Sequence, residues 1–410
     1  MQQFLKECKK VSREIATLNT EIKNRVLNEM ADALIAHCDF IVHNNTKDMQ
    51  EAKKNNLSHD LKDRLFLDGT RVEKMAEAIR QIASQKEPVG RTLEGWVTQD
   101  GLNIQKVSIP IGVIGIIYES RPNVTSDTAA LCFKSGNVCV LKGGKEAQNS
   151  NNAIANILRN VLTKNKLPEQ AISLLPDSSR EGVAQLIKQD KYVDLIVPRG
   201  GESLIKFICQ NSSVPVIKHD KGLCHTYIDK FADGKKALEI CINAKCSRPG
   251  VCNAMETLLV HKEVANYVLP PLQEAFIFEQ TELRGCKETQ KYIDVNLATK
   301  EDFDTEYLAN ILSIKVVEDI HEAIDHINLH GSGHSECIIS ENYSNITRFL
   351  DEVDAACVYA NASTRFTDGG AFGLGAEVGI STNKLHSRGP MGINDLTTFK
   401  YKVLGNGQIR

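Results

Sequence analysis

Twelve cysteines stand in this chain of 410 residues, and one of them has a setting suited to nucleophilic chemistry. Cys252 lies in Ser247-Arg248-Pro249-Gly250-Val251-Cys252-Asn253-Ala254. Pro249-Gly250 is a turn signal, and the apolar run Thr257 to Val260 follows it. The thiol is therefore expected on a bend with an arginine close by. A nearby cation lowers a thiol pKa and favours the thiolate, which is the attacking species. Cys246 stands six residues earlier, beside Lys245. Cys132, Cys139, Cys209, Cys241 and Cys357 lie within apolar runs and read as core. No pair has C-x-x-C spacing, which argues against zinc-ribbon and thioredoxin-type sites.

Ser-Arg-Pro occurs twice, at Ser120-Arg121-Pro122 and at Ser247-Arg248-Pro249. The first is followed by Asn123, whose amide could stabilise an oxyanion. Either arginine, Arg121 or Arg248, could grip a phosphate or carboxylate bidentately. Two glycine turns, Lys142-Gly143-Gly144-Lys145 and Arg199-Gly200-Gly201, each follow an apolar run. A G-x-G-x-x-G fingerprint is missing after the first strand. The turns read either as phosphate cradles or as ordinary loops with solvated cations. His326, His330 and His334 share four-residue spacing, but Gly331-Ser332-Gly333 is expected to end a helix before His334. The histidines read as a helix end near the negative dipole terminus rather than as metal ligands.

These residues need elements to position them. Leu5, Cys8, Val11, Ile15, Leu18 and Ile22 mark one helix face, and a second periodic run covers about Val26 to Ile41. Thr70-Arg71-Val72-Glu73 has the form of a capping box before Met75, Ile79 and Ile82. Pro88 to Lys106 alternates and holds Trp96, which suggests a protruding hairpin. From Ile111 onward, short apolar runs alternate with helical ones. The expected strands are Ile111–Tyr118, Val138–Leu141, Ala171–Leu175, Val193–Val197, Val214–Ile217, Thr257–Val260, Ile311–Val317, Cys337–Ser340 and Ala356–Tyr359. This βαβα order predicts an α/β fold with doubly wound parallel sheets and a domain boundary near Gly222.

Composition limits the function classes. Hydrophobic residues at 42% and charged residues at 25% are ordinary for a globular chain. The net charge of -3 gives no basic footprint for nucleic acid. The start lacks an apolar h-region, and the longest nearly apolar run, Val107 to Ile117, is short of the roughly 20 residues a bilayer needs. The chain reads as cytoplasmic, where disulfides are rare and the cysteines are expected to be reduced.

Five segments, in this order, carry a resemblance that spans nearly the whole chain. They are Tyr118-Glu119-Ser120-Arg121-Pro122-Asn123-Val124-Thr125, Leu141-Lys142-Gly143-Gly144-Lys145-Glu146, Val197-Pro198-Arg199-Gly200-Gly201, Arg248 to Ala254, and Gly369 to Thr382. Together they resemble the gamma-glutamyl phosphate reductases, the proline-biosynthesis branch of the aldehyde dehydrogenase superfamily. The resemblance implies an aldehyde dehydrogenase-like fold of two doubly wound α/β domains plus a small oligomerisation hairpin. Residues 1–222 would form the NADPH-binding domain, with the hairpin at 88–108 joined by 392–410. Residues 223–391 would form the catalytic domain. The implied activity is NADPH-dependent reduction of L-glutamyl 5-phosphate to L-glutamate 5-semialdehyde and phosphate, the second step of proline biosynthesis from glutamate. It also implies a homo-oligomer, dimer or tetramer, and a glutamate 5-kinase as a possible partner.

By motif match, Cys252 falls on the nucleophile and Asn123 on the oxyanion asparagine. Lys142 falls on the lysine that contacts the adenosine ribose, Gly200 and Gly201 on the cofactor side, and Glu306 on the glutamate that holds the nicotinamide ribose. Arg121, Arg248, Ser363, Thr364 and Arg365 are the implied substrate contacts. Two departures sharpen the reading. Oxidising relatives carry a glutamate base where this chain has His219-Asp220-Lys221-Gly222-Leu223, and reduction of an acyl phosphate needs no such base. Lys145 stands where NAD-users often have a glutamate, and a cation there would attract the 2′-phosphate of NADP. An aldehyde-oxidising dehydrogenase of the same fold and a metal hydrolase built on His326 and His330 are the alternatives.

Overall fold

The computed structural model describes residues 1–177, 179–217 and 221–410. The chain forms two compact units. One comprises residues 1–219, 373–379 and 390–410; the other comprises 220–372 and 380–389.

The first unit begins with five helices. The stripe of Leu5, Cys8 and Ile15 is buried along α1, Gln2–Ile15. Leu18 lies beyond its end, and Asn19 caps α2, Thr20–Ala36, by accepting from the Ile22 N–H. The single run expected over Val26 to Ile41 is two helices. His37 leaves helical geometry at φ -109° and ψ 22°, and α3, Cys38–Lys54, starts after it. Helix α4 is His59–Leu65. The expected box at Thr70 is displaced, because Asp68 caps α5, Gly69–Ser84, by accepting from the Arg71 N–H, which puts Thr70 inside the helix.

Strands β1, Thr92–Val97, and β2, Asn103–Pro110, form the expected hairpin, and the C-terminal strand Thr397–Leu404 pairs antiparallel with β2. The sheet exposes Trp96, Phe399, Tyr401 and Val403. The same unit holds a four-stranded parallel sheet in the order β5-β4-β3-β6, built from β3, Val113–Tyr118, β4, Val138–Lys142, β5, Ile172–Leu174, and β6, Leu195–Arg199. All six residues of β3 are buried, as a strand covered on both faces requires. Each fully buried aliphatic side chain here contributes about 1.5–3 kcal/mol. Helices α6, Asn123–Lys134, α7, Gln148–Lys164, α8, Arg180–Leu186, and α9, Glu202–Asn211, connect these strands. The strand expected at Val214–Ile217 reduces to a bridge between Val216 and Ile196, since Pro215 has no N–H for a ladder.

The second unit is a seven-stranded parallel sheet in the order β10-β9-β11-β8-β7-β12-β13. Its strands are β7, Cys224–Ile228, β8, Met255–His261, β9, Glu282–Gly285, β10, Asn296–Leu297, β11, Ile311–Val317, β12, Ser335–Ile339, and β13, Cys357–Ala360. Helices α10, Gly234–Cys246, α11, Lys262–Phe278, α12, Ile320–His330, and α13, Tyr343–Glu352, cover it. Cys209 and Cys357 are half-buried rather than core. Cys357 opens an edge strand, and Cys209 lies on the flank of an amphipathic helix. The twelve cysteines form no disulfide among the described residues. Among the described residues, no helix is long and apolar enough to cross a membrane.

Candidate active site

In the first unit, the strand order turns back between β3 and β6, and a parallel sheet opens its ligand crevice at such a point. The segment after β3 and the turn after β6 meet there. Glu119 donates its backbone N–H to the Arg199 carbonyl, and its carboxylate accepts from the Gly201 N–H at 3.0 Å. An acceptor anion at the start of α9 is what the exposed N–H groups of a helix favour. A Cβ built on Gly201 would meet nothing within 4 Å, so nothing packs over this backbone. Lys142 ends β4 half-buried, and burial pulls its ammonium pKa down, with Glu146 and Glu119 opposing. Lys145 is exposed in the 3₁₀ turn that follows. Two lysines and a glycine turn form a donor set that fits the phosphates and ribose of a dinucleotide, while the Glu119 carboxylate already holds the Gly201 N–H at the start of α9.

Asn123 opens α6 after Pro122. Its amide spends one of its two N–H groups on Asp127, at 2.9 Å. Burial raises the Asp127 carboxyl to about 6, and the Asn123 bond pulls the other way. Arg121 is half-buried beside it.

In the second unit, Cys252 sits on the loop between α10 and β8, at the amino edge of the sheet. The Ala254 N–H returns to the Val251 carbonyl at 3.0 Å, closing the bend expected from Pro249-Gly250. Three contacts hold the loop. A Cβ on Gly222 would lie 1.8 Å from the Cys252 carbonyl oxygen, so the two backbones touch. The Cys224 thiol donates to the same carbonyl at 3.2 Å. Asn253 donates to the Thr367 carbonyl at 2.8 Å, and Thr364 Oγ1 donates to the Asn253 carbonyl at 2.8 Å.

Those last bonds fix a 3₁₀ turn, Thr364–Phe366, against the Cys252 loop. Ser363 and Thr364 are buried, and their hydroxyls are engaged within the fold, Ser363 accepting from the Arg365 N–H. Arg365 stands half-buried, with Nε donating to Ser247 Oγ at 3.3 Å. Burial lowers its pKa, with nearby Arg248 adding to the effect and Cys252 opposing it. Two arginines thus share the neighbourhood of the thiol.

Glu306 accepts from the Gly222 N–H at 2.8 Å, so the glycine that contacts Cys252 also contacts this carboxylate. Gly222→Ala is expected to fold but lose about a hundredfold in kcat, because the methyl must displace the Cys252 backbone by an ångström or more. Turnover measured beside a thermal melt checks this; wild-type kcat would mean that the backbones yield freely.

The histidines have other tasks. His326 is buried, its ring 5.3 Å from Phe303, 5.6 Å from His225 and 4.4 Å from His330. Burial drives its pKa down to about 2. His330 pairs with Asp304 at 2.8 Å, and buried His334 bonds Ser335 at 2.8 Å. Among the described residues, no group of three or more His, Cys, Asp or Glu side chains is placed to hold a metal ion. The missing glutamate base, matched to His219 and Asp220, lies outside the described residues.

Sequence reasoning passed over Gly222, Cys224, Asn253 and the ion pair of Lys245 with Glu256. The pair had a visible signal: Glu256 is an acidic residue inside the apolar run of β8.

The model of the aldehyde dehydrogenase family matches residues 1–282 and 297–400. Gamma-glutamyl phosphate reductase of Aliarcobacter butzleri is 70% identical over the full length of both chains, and that of Sulfurovum sp. is 66% identical over the same extent. The crystal structure of gamma-glutamyl phosphate reductase from Thermotoga maritima superposes with a TM-score of 0.96 at 44% identity, covering 100% of this chain and 99% of that one.

Proposed function

The chain belongs to the aldehyde dehydrogenase family, in its gamma-glutamyl phosphate reductase branch, and from that premise we propose that it reduces L-glutamyl 5-phosphate to L-glutamate 5-semialdehyde with NADPH, through a thioester on Cys252. As an oxidoreductase of this family it works with a nicotinamide cofactor. The observation that carries the reading is the cation-flanked Cys252 at the sheet edge, with Arg365 and Arg248 beside it. The Cys252 thiolate attacks the acyl carbon, and the C–O bond to phosphate breaks. Phosphate departs as a stable anion, so no strong acid is required. Arg248 and Arg365 neutralise the leaving group or read the substrate carboxylate, with Ser363 and Thr364 shaping the turn that presents Arg365. The motif match gives Asn123 the developing oxyanion, with Arg121 as a further substrate contact. Bound NADPH supplies the hydride that makes the aldehyde. Glu306 holds its nicotinamide ribose, Lys142 its adenosine ribose, and Lys145 draws the 2′-phosphate, as Gly201 leaves backbone room and Gly200 lets Glu119 close in beside it. A glutamate 5-kinase as supplier of the labile substrate, a homo-oligomer built on the hairpin and a cytoplasmic location belong to the same proposal.

The test is the reverse reaction. With glutamate semialdehyde, NADP reduction is expected to require inorganic phosphate and to run well above the rate with NAD. Phosphate-independent oxidation to free glutamate would instead indicate a hydrolytic, aldehyde-oxidising enzyme.

A further inference from the structure

We infer that Glu256 is a positioning residue that couples the nucleophile loop to the segment presenting Glu306, so that one buried carboxylate aligns both halves of this site. The inference rests on the reading of Glu306 as the cofactor-binding glutamate. Glu256 is the second residue of β8 and has no exposed surface. Its Oε2 accepts from Lys245 Nζ at 2.5 Å, and Lys245 is equally buried in the last turn of α10. The two residues flank Cys252, one on each side in sequence, so the ion pair closes the base of the nucleophile loop. Hydrophobic residues of similar volume would serve stability as well or better, since desolvating two charges offsets most of their attraction.

The other oxygen shows what the carboxylate does besides. Glu256 Oε1 accepts from the Leu308 N–H at 3.2 Å. Leu308 is left-handed, at φ 52°, a conformation that a leucine keeps only when its surroundings hold it. Tyr307 is held as well: its ring lies 5.9 Å from Lys245 Nζ and 5.3 Å from Arg284 Cζ, and its hydroxyl bonds Asp302 and Ser313, each at 2.8 Å. The next residue back is Glu306, bonded to the Gly222 N–H, and Gly222 touches Cys252. The contacts therefore close a circuit, from Cys252 through Gly222, Glu306, Leu308 and Glu256 back along four residues to Cys252. A shift at any member moves the thiol and the ribose-binding carboxylate together.

Two double variants separate this role from simple packing. Lys245→Met with Glu256→Gln removes both charges but keeps an amide oxygen for the Leu308 N–H. Lys245→Met with Glu256→Leu removes the acceptor too. In the reverse reaction, the glutamine form is expected to keep a KM for NADP within about twofold of wild type. The leucine form is expected to raise it about tenfold, the scale of one lost hydrogen bond. KM values for semialdehyde and phosphate should stay within about twofold in both, and kcat should fall in the leucine form. A leucine form that melts lower yet keeps its KM for NADP overturns the inference, as do equal effects in the two forms. If the leucine form does not fold, Tyr307→Phe frees the same segment at its other anchor. It must then raise the KM for NADP several-fold, and an unchanged value overturns the inference. Glu306→Gln is measured alongside: if it leaves the KM for NADP unchanged, the reading of Glu306 itself fails, whereas an effect there without one in the Glu256 and Tyr307 variants defeats only the positioning role.

Discussion

Cys252→Ser is expected to lower turnover by at least about a thousandfold while leaving the melting temperature and NADPH affinity at wild-type values. The side chain changes by one atom, and the loop around it is held by the Gly222 backbone, by the Cys224 thiol on the Cys252 carbonyl and by the side chains of Asn253 and Thr364, none of which needs the Cys252 sulfur. What changes is the nucleophile. A serine hydroxyl is far harder to ionise than a cysteine thiol, and the thiolate is the attacking species that the proposed step uses. Steady-state rates, a thermal melt and NADPH fluorescence titration on the one variant make the test. Near-normal activity would remove Cys252 from the mechanism.

Lys245→Met alone should destabilise the protein by about 3–5 kcal/mol at neutral pH, the cost of leaving a buried charge without its partner. Burial already raises the Glu256 carboxyl to about 7, and the nearby ammonium pulls it back down. Losing the cation pushes it higher still. A carboxyl whose pKa is higher in the folded than in the unfolded state binds more protons when folded, so stability falls as pH rises from the unfolded value of about 4.3 through the folded one. The variant should therefore recover much of its stability near pH 5, where the buried carboxyl takes up its proton. Denaturant melts at pH 5 and pH 7.5 measure the difference. A loss of under about 1 kcal/mol at both would show that the site hydrates or relaxes around the carboxylate.

Much of the candidate site was legible along the chain. Cys252 stood out because a turn and an arginine adjoin it, and both are local. The hairpin, β3, β4, β11 and the alternation that makes parallel sheets also follow from short-range pattern, since burial on both faces demands unbroken apolar runs such as Val113–Tyr118. Local signals failed where two candidates competed. Asp68 took the cap from Thr70 because the helix starts at Gly69, where the Asp68 side chain accepts from the Arg71 N–H, and His37 broke a periodic run with no glycine or proline to announce it. Cys209 and Cys357 looked like core because apolar neighbours do not reveal which flank of a helix faces outward or whether a strand is an edge.

The sequence by itself determined the family and the parallel α/β architecture and singled out Cys252 as the candidate thiol, because each is written in contiguous residue types. Tertiary structure alone decided what surrounds that thiol. The Gly222 backbone against Cys252, Arg365 brought beside Ser247, and Glu256 joining Lys245 to Leu308 are contacts between segments far apart in the chain. No local spacing encodes them, since they arise only when the sheet gathers its loops and burial obliges each polar group there to find a partner.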